Sequence, residues 1–360
     1  PSYAADATSW FVDKGSGSDD NNGSAWANSF KTLKKALDEA KDGDFIWMAA
    51  GVYGGLDDNN TKANAADESA TSMFTITQKN LSIYGGFFGD EDFNSSAFIE
   101  FLDRDHGGLK PISDTLPHIQ YAGHPVNETS ILGSAGFRAI YAKGSNLRLD
   151  GITVEGGDVV GDGGGICVES GIKLWRCKVT GNEATVNGGG VMAKSGNLDL
   201  IWTQITENRS SYGSGMYISP EAKGTIINSR FEKNDAGNES SLFSTSTTLT
   251  IFGSVFFKNT GTAAALTAQE SEIKFSTFAK NGPNFVSGVS GLKFKDTILD
   301  GTINPLFVDD DEFVTENFNN FKSPAWATSG DLDVDANQTS KKGNLLTDIF
   351  DLDGDIDVTE

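Results

Sequence analysis

The chain has 360 residues, a formal net charge of −22 and 38% hydrophobic residues, with 42 glycines and 24 phenylalanines. That length and apolar content allow a sizeable core, and the acidic balance argues against nucleic acid and anionic membrane surfaces as partners, since both repel a polyanion. No apolar run reaches the roughly 18 residues a membrane span needs.

The sequence starts at Pro1 without an initiator Met or a signal-like apolar segment, which fits a processed or trimmed N-terminus. Trp10-Phe11-Val12 reads as a strand, followed by a polar loop from Ser18 to Gly23. Phe30, Leu33, Leu37 and Ala40 then fall at helical spacing before Gly43, which predicts one helix with a single apolar stripe and a glycine stop. Such a helix suits the end of a solenoid, where the first coil would otherwise expose apolar surface and free strand edges. Phe45 to Tyr53 reads as the first full strand, so residues 1–54 form a cap and first coil.

Residues 55–301 carry the repeat. Asn182, Asn208, Asn234, Asn259 and Asn281 close five similar segments at intervals of 26, 26, 25 and 22 residues. A period in the low to middle twenties is the mark of stacked β-coils. Three places before each Asn stand Val179, Ile205, Phe231, Phe256 and Phe278; eight places before stand Leu174, Leu200, Ile226, Ile251 and Ile273. These columns predict an apolar interior. Five places before stand Cys177, Thr203, Ser229, Ser254 and Ser276, all small, as a crowded interior bend requires. Arg176, Trp202, Asn228 and Phe275 between the columns follow strand alternation and are expected to point outward. Stacked asparagines can satisfy one another's amides, which predicts a buried Asn ladder.

Gly163-Gly164-Gly165, Gly188-Gly189-Gly190 and Gly213-Ser214-Gly215 recur every 25 residues. They lack the Lys-Ser/Thr and helix of a phosphate loop, so they read as turns with close backbone approach. Cys167 and Cys177 differ in parity, which argues against a disulfide between them. An irregular insertion at about 91–130 interrupts the period, with Pro111, Pro117 and Pro125. It holds His106, His118 and His124 near Asp103 and Asp105, at spacings that match no helical or hairpin ligand pattern.

Residues 302–360 form an irregular acidic segment. Asp351, Asp353, Asp355 and Asp357 alternate there, and carboxylates at every second residue can converge on Ca²⁺; a solvated acidic tail is the other reading. Asp331, Asp333, Asp335 and Asn337 repeat the alternation, and Asp19 and Asp20 are weaker candidates.

The stretch from Trp10 to Tyr53, LSIYGGFFGDE from Leu81 and LRLDGITVEGGD from Leu147 resemble secreted bacterial right-handed parallel β-helix proteins of the pectin-lyase-like superfamily. The GGGI and GGGV coils are similar to polymorphic outer-membrane protein repeats, and TDIFDLDGDIDVTE from Thr347 resembles the approach to a C-terminal surface anchor. The resemblance implies an all-β fold, a right-handed parallel β-helix with an N-terminal helical cap, and a secreted or cell-surface location. Members of that superfamily range from lyases and hydrolases to adhesins, so fold alone does not select an activity.

Two functions stay open. One is a structural or adhesive surface protein, self-assembling or bound to cell-surface polysaccharide, with Trp175, Trp202 and Tyr217 as outward stacking residues and Ca²⁺ stiffening its loops. The other is a lyase or glycoside hydrolase acting on an acidic polysaccharide. Arg176, Lys178, Lys194, Arg209 and Tyr217 are its candidate bases or carboxylate-neutralising groups, and none belongs to a local catalytic motif.

Overall fold

The computed structural model describes residues 7–54, 71–90, 128–144, 146–246, 248–262, 265–268 and 271–282, together with the backbone of four short strands at 286–288, 293–295, 298–299 and 320–321. Every pairing between named strands is parallel, in one 16-stranded, one 10-stranded and one 4-stranded sheet. The chain is a β-solenoid.

One coil shows the plan. Strands Ile166–Val168, Ile172–Trp175 and Lys178–Thr180 form three faces, and Glu183–Ala184 forms a short fourth. In the next two coils the first and second faces run together as the long strands Val191–Ile201 and Met216–Ile227. Like residues pair rung to rung: Leu174 with Leu200, Leu200 with Ile226, Ile226 with Ile251, and Ile251 with Ile273. Val179, Ile205, Phe231, Phe256 and Phe278 form the second predicted column and are fully buried. The last three stack face to face, with centroids 4.8 and 4.5 Å apart.

The asparagine ladder forms as predicted. Nδ2 of Asn182, Asn208, Asn234 and Asn259 each donates to Oδ1 of the next Asn at 3.0 to 3.1 Å. The same Oδ1 accepts the backbone N–H of the preceding Asn, and Nδ2 also donates to a backbone carbonyl such as Val179 or Ile205. The small column has a second role that size alone does not reveal. Cys177 N–H donates to Thr203 Oγ1, Thr203 N–H to Ser229 Oγ, Ser229 N–H to Ser254 Oγ and Ser254 N–H to Ser276 Oγ. It is a hydroxyl ladder, satisfying backbone groups that a bend takes out of the sheet. The glycine runs act as turns: Gly163, Gly188 and Gly213 have φ of 69°, 63° and 58°, and a Cβ on Gly164 would lie 2.3 Å from the Glu183 carbonyl oxygen.

The N-terminal end differs in detail from expectation. The helix spans Leu33–Glu39, with Thr32 as N-cap accepting from Lys35 N–H, while Phe30 pairs with Val12 and Ala40 is the C-cap. All four stripe residues are nevertheless buried with Val12 in the main core, so the helix closes the stack. The expected single strand from Phe45 to Tyr53 is two, Phe45–Ala49 and Gly51–Gly54, because the chain turns a corner at Ala50 and changes sheet. Cys167 and Cys177 are both free and buried, Cys177 in the core and Cys167 against Tyr141 and Met192 on the other side of the sheet.

Ser82–Phe87 and Thr129–Leu132 flank the predicted insertion, and Ser130 lies within the second of these strands. The three histidines, Asp103 and Asp105 lie outside the described residues, as does most of the segment 302–360.

Candidate functional site

The corner between the second and third faces carries, coil after coil, the pairs Asp150-Gly151, Trp175-Arg176, Ile201-Trp202, Ile227-Asn228, Phe252-Gly253 and Lys274-Phe275. The second member is left-handed each time, with φ between 47° and 68°. Backbone bonds continue through the bend, for example Arg176 N–H to Ile201 O and Trp202 N–H to Ile227 O. Arg176, Trp202, Asn228 and Phe275 therefore sit at a turn, not in a strand as their alternation implied. Gly and Asn alternating with them in the column were the signal for this conformation.

The turn lifts aromatic side chains off the rod. Trp175 and Trp202 meet edge to face with centroids 5.8 Å apart, and Phe252 and Phe275 do the same at 5.2 Å. Half-buried Ile201 and Ile227 lie between the pairs, and Phe252 and Phe275 are 41% and 53% exposed. The result is an apolar ridge parallel to the solenoid axis.

Beside the tryptophans, one predicted residue proves different. Arg176 is buried, with Nε 2.8 Å and Nη2 2.7 Å from Oδ1 of Asp150 on the preceding coil. Arg148 Nη2 reaches the other oxygen of Asp150 at 2.8 Å. The Arg148 guanidinium also lies 5.3 Å from the Tyr84 ring and 4.9 Å from that of Trp175, so the rings and charges form one packed row. Arg176 is thus a structural cation and not the outward, solvated group its position implied. Asp150 and Arg148, two residues apart on one strand, were missed because Asp150 meets Arg176 only across rungs.

Tyr217 points outward on the first face, apart from this ridge. It stands ten residues before Ile227, on the first-face part of a strand whose later part forms the second face. It stacks on Phe243 at 5.1 Å, and Tyr212 meets the same ring edge-on. The remaining basic candidates are dispersed. Lys178 is exposed on the third face, Lys194 lies over the Tyr141 ring on the first, and Arg209 faces Asp235 at 3.7 Å on the short fourth.

The Ca²⁺ candidates Asp351, Asp353, Asp355 and Asp357 lie outside the described residues, as do Asp331, Asp333, Asp335 and Asn337. Among the described residues no group of three or more His, Cys, Asp or Glu is placed to hold a metal. Asp19 accepts from Lys31 N–H, Thr32 N–H and Thr32 Oγ, so it clamps the entry to the cap helix. No helix among the described residues is long and apolar enough to cross a membrane.

Residues 122–284 match the family model described as right handed beta helix region. With the rung register above, the fold is a right-handed parallel β-helix. Similar solved structures include a pectin methylesterase from Aspergillus niger, 13% identical with a TM-score of 0.38, covering 89% of this chain and 86% of that one. A rice weevil pectin methyl esterase is 12% identical with a TM-score of 0.40, covering 84% and 80%. No curated protein matches the chain in sequence.

Proposed function

We propose that this chain is an extracellular structural or adhesive β-helix protein, a rigid rod whose lateral ridge binds glycan. The observation that carries the reading is the ridge of Trp175, Ile201, Trp202, Ile227, Phe252 and Phe275, because rings held edge-on to each other leave faces for the C–H side of a sugar. Its burial of Arg176 supports the same reading, since a cation locked on Asp150 is unavailable to a substrate carboxylate. Dispersal of the other basic candidates over three faces also weighs against a lyase. Secretion to a cell surface and Ca²⁺ binding at Asp351, Asp353, Asp355 and Asp357 belong to this proposal.

A glycan array with the full chain and its Trp202→Ala variant tests it. Binding that the variant loses supports the ridge, and an array with no neutral glycan retained refutes it. Association of like subunits through the ridge is favoured by the exposure of Phe252 and Phe275, and electron microscopy would show it as paired rods or filaments. Incubation with acidic polysaccharides tests the lyase alternative: appearance of an unsaturated, ultraviolet-absorbing product would replace the proposal.

A further inference from the structure

The outward positions of the first face form one column, in rung order Tyr141, Cys167, Met192, Tyr217, Phe243 and Thr267. Their strand neighbours, such as Met216, Ile218 and Leu242, lie in the core. Tyr217 and Phe243 stack with centroids 5.1 Å apart and ring planes 18° from parallel. Thr267 then takes the place of a ring on the next rung. Tyr212 approaches from the turn before this face, where its N–H donates to the Val186 carbonyl. Its ring stands 5.8 Å from that of Phe243 at an interplanar angle of 72°. The three rings thus make a corner with two walls, in which Tyr212 is 36% exposed and Tyr217 and Phe243 are half-buried.

Electrostatics gives the corner a sign. The face of an aromatic ring is the negative part of its quadrupole, and on several other rings of the rod a cation of the protein covers it: Lys35 over Phe30, Arg148 over Trp175 and Lys258 over Phe257. Among the described residues no Lys or Arg lies over Tyr212, Tyr217 or Phe243. What stands beside them is a carboxylate. Glu239 N–H donates to the Ser211 carbonyl, next to Tyr212, and Glu239 Oε2 accepts from Thr267 Oγ1 at 3.3 Å, on the rung after Phe243. Glu239 has no basic partner among the described residues. Ring faces and carboxylate therefore present negative charge to one spot.

We infer that this corner binds a trimethylammonium group of the choline type. Shape selects it over a sugar, because a sugar ring lies flat on one aromatic face whereas two walls near a right angle embrace a rounded group. Hydration selects it over a lysine. A primary ammonium is strongly hydrated and carries donors that ring faces satisfy poorly, while a fully methylated nitrogen has no N–H and gives up its water readily to aromatic faces. A metal ion lacks ligands here, since among the described residues no group of three or more His, Cys, Asp or Glu is placed to hold one. The corner lies on a different face from the tryptophan ridge and does not depend on it.

Magnetic resonance of choline with the full chain tests the site without any variant. Saturating the aromatic protons of the protein should transfer signal to the choline methyl protons, and titration should give a dissociation constant in the millimolar range. The uncharged isostere, with a tert-butyl group in place of trimethylammonium, should bind about tenfold more weakly. Phe243→Leu should lower choline affinity about tenfold. Glu239→Gln, which keeps an oxygen for Thr267, should lower it about threefold and leave the isostere unaffected. Trp202→Ala, on the other ridge, should leave choline affinity unchanged. Phosphatidylcholine vesicles identify the source: retention of the chain that free choline competes away assigns a lipid headgroup, and choline binding without retention assigns a soluble compound, either of which supports the site. Equal affinity for choline and its isostere, loss of choline binding in Trp202→Ala but not in Phe243→Leu, or no signal transfer to choline overturns the inference.

Discussion

Arg176 and Asp150 form a buried ion pair across adjacent coils, with two guanidinium nitrogens on one carboxylate oxygen at 2.7 and 2.8 Å. Arg148 holds the other oxygen. The side chains of Asp150 and Arg176 are 1% and 5% exposed, so removing either partner strands a desolvated charge.

Asp150→Ala is therefore expected to destabilise the rod by about 3–5 kcal/mol, since it strands two arginines together. Arg176→Gly should cost less than Arg176→Ala, because the position has φ 52° and glycine accepts that backbone without strain. Urea denaturation followed by circular dichroism measures both. Midpoints equal to that of wild type in all three variants would show that the pair contributes nothing.

Asn234 occupies the middle of the amide ladder. Its Oδ1 accepts from Asn208 N–H and Nδ2, and its own Nδ2 donates to Asn259 Oδ1 and the Ile205 carbonyl. Asn234→Ala leaves buried groups on both neighbouring rungs without these partners, at about 1–3 kcal/mol for each one left unsatisfied. Asn281→Ala removes the last described member and should cost less. A denaturation series along Asn182, Asn208, Asn234 and Asn281 checks the gradient, and a uniform loss would argue that each amide acts alone.

Cys177 gives the solenoid a pH dependence in the alkaline range. Burial pushes its thiol up from 9.0 to about 12, so the folded state keeps a proton that the unfolded chain releases. Stability from this group is whole below pH 9 and declines as pH rises toward 12, by about 1.4 kcal/mol per unit. Cys177→Ser places in the column the residue that Ser229, Ser254 and Ser276 already supply there, and it removes the titration. Wild type should lose stability relative to that variant between pH 9 and 11, measured by urea midpoints. Parallel pH curves for the two proteins would rule the effect out.

The architecture was legible because a solenoid repeats its inner environment: Leu174, Leu200, Ile226, Ile251 and Ile273 meet the same neighbours on every rung and so recur in the sequence. The asparagines were legible for the same reason. Corners were not, since a left-handed position accepts Gly, Arg, Trp, Asn and Phe in turn as long as its backbone bonds hold, and the column at Gly151 through Phe275 looks irregular. The Asp150, Arg148 and Arg176 cluster was hidden further, because it occurs once and joins residues on different rungs. Of the proposed stacking residues, Trp175 and Trp202 share a ridge and Tyr217 stands apart, a distinction that depends on position along a long strand.

Trp202 and Phe256 separate surface chemistry from core stability. Phe256 is fully buried between Phe231 and Phe278, stacked within 4.8 Å of one and 4.5 Å of the other, so Phe256→Ala should cost about 3–5 kcal/mol. Trp202 is half-buried at a corner whose backbone is already bonded to Ile227, and it packs chiefly on Trp175. Trp202→Ala should cost only about 1 kcal/mol and abolish neutral-glycan retention. Melting and glycan-array measurements on both variants decide the matter. If Phe256→Ala weakens glycan binding in proportion to its lost stability while Trp202→Ala changes neither quantity, then the ridge is inert surface and the rod acts through another face.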